Sequence, residues 1–120
     1  MAAGFSGIRL EPFAGRVRVV WRGTVLAESG DALVLHEKGY PPRHYLPAED
    51  VRTDLLVRSA RGTYCPFKGS ATYWSLAGAE GEGTEDVAWG YPEPLRGMEQ
   101  LAGRIAFHQE RVQVVPEPGA

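Results

Sequence analysis

Cysteine is almost absent from the chain: Cys65 is the only one in 120 residues. It cannot form an intrachain disulfide, so the fold does not depend on an oxidising compartment, and a reducing one is expected. No run approaches the ~20 consecutive apolar residues that a membrane-crossing helix needs. Residues Met1 to Leu10 lack both the basic leader and the apolar block of a secretory signal. The expectation is therefore a soluble, cytoplasmic protein with no membrane partner. A basic excess is missing too. Lys and Arg number 13 against 15 Asp and Glu, for a net charge of −2 and a pI near 5.9. Binding to duplex nucleic acid normally uses a strongly basic face that releases phosphate counterions, so that class is excluded, while a small anionic ligand is compatible with the balance.

Glycine and proline are plentiful, at 15 and 9, and hydrophobic residues make up 43% of a chain with 23% charge. That composition predicts a folded domain of short strands and many turns rather than a disordered chain. The length suits one domain. Residues 1–15 are expected as an N-terminal extension, 16–115 as a single β-rich domain and 116–120 as a C-terminal tail.

Alternation supplies the strands. Val17, Val19 and Trp21 take one side of a strand from Arg16, with Arg16 and Arg18 on the other. Arg22-Gly23 and Ser29-Gly30-Asp31 are turn signals, so residues 16–37 read as an antiparallel meander. Further strands are expected at His44–Leu46, Thr53–Arg58, Ser70–Leu76, Val87–Trp89, Arg104–Phe107 and Val112–Val115. Pro47 suits the start of a helical turn through Asp50, and Leu95, Met98 and Leu101 have helical spacing. The fold class is mainly β: a small, twisted antiparallel sheet or barrel-like domain of seven to nine strands with one to three short helical turns.

Several ordered motifs carry a resemblance: Arg16-Val17-Arg18-Val19, Ala27-Glu28-Ser29, Glu37 through Pro47, Asp50-Val51, Thr63-Tyr64-Cys65-Pro66-Phe67-Lys68-Gly69 and Ala88-Trp89-Gly90-Tyr91-Pro92. Over about residues 16–115 the chain resembles the domain-of-unknown-function family 427, sometimes labelled nucleotidyltransferase-like. The resemblance implies a twisted β arrangement related to Mss4-like or β-tent domains. Such relatives often hold zinc with paired Cys-x-x-Cys knuckles, and with Cys65 alone that zinc does not carry over.

The residues that could carry chemistry recur at turn-flanked strand ends. Cys65 could be a nucleophile, since Lys68 stands three residues on and a nearby cation favours the thiolate; its bland reading is a small buried hydrophobe. Glu37 is the other weak catalytic candidate. Lys68-Gly69-Ser70 lacks the order and upstream glycine of a phosphate loop. The stretch Gly78 to Gly83 is too acidic for one and reads as a solvated hairpin tip. His36, Glu37, His44 and Asp50 match no metal signature, so neither a metal nor a cofactor is expected.

Tyr40, Tyr45, Tyr73, Trp74, Trp89 and Tyr91 combine apolar faces with polar tips that can orient a ligand, although much of this group must be core. Tyr73 and Trp74 must point to opposite faces of their strand. Arg16, Arg18 and Arg43 could pair with a carboxylate or phosphate, with Lys68 as a further point charge. The expected ligand-binding set is Arg16, Glu37, Tyr45, Cys65, Lys68, Tyr73, Trp89 and Tyr91. The leading function is binding of a small polar or anionic molecule without metal. The alternatives are thiol or nucleotidyl-transfer catalysis through Cys65 or Glu37, and an interaction module that pairs through a strand edge, as in a homodimer.

Overall fold

The computed structural model describes residues 7–79, 81 and 83–119. Among these described residues ten strands, one more than the seven to nine expected, form two antiparallel sheets. In chain order they are β1 (Ile8–Pro12), β2 (Gly15–Trp21), β3 (Thr24–Ser29), β4 (Leu33–Glu37), β5 (Arg43–Pro47), β6 (Leu56–Cys65), β7 (Gly69–Leu76), β8 (Ala88–Gly90), β9 (Arg104–Phe107) and β10 (Gln113–Pro118). The larger sheet has the order β1-β4-β5-β9-β8-β7-β6, and the smaller one β10-β2-β3. Single 3-10 turns at Ala48–Asp50, Thr53–Leu55 and Glu99–Leu101 are the helical structure among the described residues. The chain is mainly β and antiparallel, as its alternation predicts.

The meander expected across residues 16–37 is broken at its second turn. β2 and β3 form a hairpin, closed by Arg22-Gly23, but β4 leaves for the larger sheet and pairs with β1 and β5. The reason is a side-chain corner. The Ser29 hydroxyl accepts the Asp31 N–H at 2.9 Å and donates to the Asp50 carboxylate at 2.6 Å. This fixes the chain in a bend where a hairpin would need the next ladder bonds.

Both ends of the chain join the sheets more fully than expected. β1 lies inside the stretch read as an extension and pairs with β4 in register from Ile8↔Glu37 to Pro12↔Leu33. β10 runs on through Pro116 to Pro118, paired with β2, where a tail was expected to begin. The strand expected from Thr53 instead opens with a 3-10 turn and starts at Leu56, and the helix expected around Leu95–Leu101 is only a single turn. Glu80 and Glu82 of the expected hairpin tip lie outside the described residues.

Because successive side chains point to opposite faces of a strand, the larger sheet sorts its residues onto two surfaces. One surface carries Leu46, Leu76, Ala88, Ile105 and Phe107. It packs against Val17, Val19, Leu26 and Ala27 of the smaller sheet to make the main core. The other carries Leu33, Leu35, Tyr45, Ala71, Trp89 and Ala106, and is covered by Tyr91, Met98 and Leu101 from the connection between β8 and β9. Tyr73 joins this second surface and Trp74 the first, as strand alternation requires. At Gly90 the strands approach so closely that a Cβ would lie 2.6 Å from the Arg104 carbonyl oxygen, leaving room for glycine alone.

Candidate functional site

The second surface of the larger sheet gathers the polar chemistry of the chain. Glu37 ends β4, and Lys68 sits in the tight turn between β6 and β7, where Cys65 pairs with Gly69. Sequence places the turn well: Pro66 fixes one dihedral, and Gly69 adopts a φ of +116° that other residues resist. The Lys68 carbonyl is further held by the Leu95 N–H at 3.0 Å, so the covering connection clamps the turn. Its ammonium then donates to the Glu37 carboxylate at 2.9 Å. The two side chains retain only 13% and 20% of their exposure, so this ion pair lies below the surface.

Beneath the pair is an aromatic floor. The Lys68 ammonium sits 5.8 Å from the Tyr91 ring centre, a cation–π distance. Trp89 donates its indole N–H to the buried Tyr45 hydroxyl at 3.0 Å, and the two rings meet edge to face. Burial raises the Tyr45 phenol far above its ordinary range, and nearby Tyr91 adds to the shift against the Trp89 N–H and Arg43, which oppose it. Burial also raises Tyr91, followed by the negative charges that Cys65, Tyr73 and Glu37 would present. Both phenols therefore stay protonated at neutral pH and remain hydrogen-bond donors.

Seven of the expected residues thus share this surface: Glu37, Tyr45, Cys65, Lys68, Tyr73, Trp89 and Tyr91. Their roles divide by exposure. Tyr45, Trp89 and Tyr91 are buried and form the floor, whereas Cys65 and Tyr73 are partly exposed at its side. The Tyr73 hydroxyl shares a 2.9 Å hydrogen bond with Thr63, and the Arg61 guanidinium covers its ring. Arg16 is not brought to the cluster. It lies on β2 in the smaller sheet and faces Glu28 at 3.9 Å.

Three residues outside the expected set complete the surface. The Arg43 guanidinium lies 5.4 Å from the Trp89 ring centre and reaches Glu110 at 3.4 Å. His108 stacks on the same indole with ring centres 4.4 Å apart. Burial, followed by the Arg43 charge, lowers the His108 pKa, so its ring is neutral at pH 7 and one nitrogen can accept a hydrogen bond. Arg43, already a candidate partner for an anion from the sequence, stands two residues before Tyr45 on β5 and shares its face. His108 and Glu110 lie just beyond β9, where no strand pattern predicts their direction.

Among the described residues no hydrogen bond joins a histidine to Cys65, and each histidine has a partner elsewhere. His36 contacts Glu11 at 2.7 Å and His44 meets the Phe13 ring edge to face. Among the described residues no three His, Cys, Asp or Glu side chains converge as a metal site would require. No described helix is long and apolar enough to cross a membrane.

Comparison with known families decides the lineage, because the sequence model described as Domain of unknown function (DUF427) matches residues 9–117. The chain belongs to that family. The match begins within β1 and ends within β10, so the DUF427 unit takes in both sheets and the whole polar surface. No curated protein is similar enough to lend this DUF427 domain an activity.

Proposed function

We propose that the surface around Lys68 and Arg43 binds a small ligand bearing a carboxylate or phosphate. The observation that supports this most is the sunken Glu37–Lys68 pair, set over Tyr91 on the same face as Arg43. An ammonium has three donors, and Glu37 occupies one at 2.9 Å, which leaves donors for an incoming oxyanion. Glu37 also holds the flexible lysine stem in place, so less ordering is needed on binding. Arg43 packs on the Trp89 ring, and its one carboxylate partner, the exposed Glu110 at 3.4 Å, can be displaced by a better acceptor.

The protonated Tyr91 and the neutral His108 ring add one donor and one acceptor for the uncharged part of a ligand. A thermal-shift screen of small organic acids and phosphates tests the reading. At least one compound should raise the melting temperature of the parent protein and fail to do so for Lys68→Met. Equal stabilisation of both proteins by every hit would remove the proposal.

A second reading follows from Cys65, a partly exposed thiol beside Tyr91 on the same surface. A thiol-dependent enzyme would use it as nucleophile, with Glu37 or Tyr91 moving protons. Iodoacetamide labelling separates the two. Rapid reaction of the native protein at neutral pH favours catalysis, and reaction only after denaturation leaves the binding reading alone.

A further inference from the structure

A separate cavity of about 280 Å³ opens where the β2–β3 turn meets the approach to β10. It is lined by Val20, Trp21, Arg22, Gly83, Arg111, Val112 and Gln113, and shares no residue with the Lys68 surface. Its size is near the lower end of small-molecule sites, enough for an oxyanion attached to one ring.

Two turns bring Arg22 and Arg111 to this cavity. Gln113 pairs with Val20 where β10 begins, and Arg111 lies in the turn just before it, held by its N–H to the His108 carbonyl, so that it lines the same cavity as Arg22 of the β2–β3 turn. Arg22 occupies the first position of a two-residue turn, since Trp21 pairs with Thr24, and its φ of +48° is a left-handed conformation unusual for a non-glycine residue. That conformation sets its guanidinium 4.8 Å from the Trp21 ring centre.

Arg9, Arg16, Arg43, Arg52 and Arg104 each face a carboxylate. Among the described residues Arg22 and Arg111 have no such partner, and neither do Arg18, Arg58, Arg61 and Arg96, but only Arg22 and Arg111 line the cavity. Two guanidiniums on one cavity can present several N–H donors to a single oxyanion, whose charge offsets theirs. Trp21, Val20 and Val112 supply an apolar wall for the body of the ligand, and Gln113 a further amide.

We infer that this cavity is a second binding site, for a small organic phosphate or carboxylate whose oxyanion is gripped by Arg22 and Arg111. Phenyl phosphate, with benzoate and inorganic phosphate as comparison arms, tests it by titration of the amide NMR spectrum. Phenyl phosphate should shift Trp21, Arg22 and Gln113 saturably. A benzoate response at the same amides extends the site to carboxylates, and a response to inorganic phosphate alone overturns the apolar-wall part of the inference.

Arg22→Gly suits the left-handed turn and should fold, and Arg111→Gln keeps the length of the strand approach. Each should weaken phenyl phosphate binding by about tenfold or more, the effect of losing a hydrogen bond to a charged group. The affinity should persist in Lys68→Met, which separates this cavity from the other surface. Unchanged affinity in both arginine variants, shifts confined to the Lys68 surface, or no saturable shift would overturn the inference.

Discussion

The two surfaces of the larger sheet are built by the same strands and differ in chemistry. The surface toward the smaller sheet is aliphatic and closed: Leu46, Ile105 and Phe107 interlock with Val17, Val19 and Leu26, all nearly inaccessible to water. The opposite surface buries Tyr45, Trp89 and Tyr91, whose polar tips need partners, and holds the sunken ion pair above them. Burying polar groups costs free energy unless each finds a hydrogen bond, so an aliphatic face is the simpler way to stabilise a sheet. The contrast fits the proposed division, in which the first surface carries stability and the second is the binding surface.

Substitutions on the two surfaces can break that contrast. The largest loss is expected for Leu46→Ala, which empties a fully buried position on the closed face and should cost about 2–5 kcal/mol in urea unfolding. Gly90→Ala should cost about 1–3 kcal/mol, because its Cβ would be driven against the Arg104 carbonyl. Tyr45→Phe strands the Trp89 indole N–H and should cost about 1–3 kcal/mol, with altered tryptophan fluorescence as the local reporter. A Tyr45→Phe protein as stable as the parent would show that the polar floor contributes nothing to folding.

A smaller effect concerns pH. Burial lowers the pKa of His44 and His108 below the ordinary value of 6.5, with smaller lowering contributions from the His36 and Arg43 charges respectively. The unfolded chain therefore binds protons more readily than the folded one. The stabilisation is complete above about pH 6.5 and is lost as pH falls through that value toward the lower folded pKa values. His44 also carries an Nδ1 with no hydrogen-bond partner among the described residues. His44→Phe, which preserves an aromatic contact with Phe13, should flatten the loss of stability between about pH 7 and pH 5.5. An unchanged slope would remove His44 from the account.

Much of this contrast was legible in the alternation of single strands. Tyr73 against Trp74 on β7, and Val17 and Val19 on β2, reveal their faces from spacing alone. The pairing of strands was less legible, because the Ser29 corner depends on Asp50, which is distant in sequence. β1 and the end of β10 were missed because Pro12, Pro116 and Pro118 look like strand breakers, yet all three sit in edge strands, where a missing N–H is tolerated. For the site, spacing could not show that Glu37 reaches Lys68 across 31 residues, nor that Arg16 belongs to the other sheet.

The most direct test of the division between the surfaces is a ligand-dependent melting curve of the parent and Lys68→Met proteins, run against the same set of small anions. Methionine keeps the apolar stem over Tyr91 but leaves the sunken Glu37 carboxylate without its partner, so the variant should lose about 1–3 kcal/mol of stability and still fold. The account predicts a folded Lys68→Met protein that has lost stabilisation by at least one anion recognised by the parent. A folded variant that every anion stabilises as strongly as the parent would contradict it.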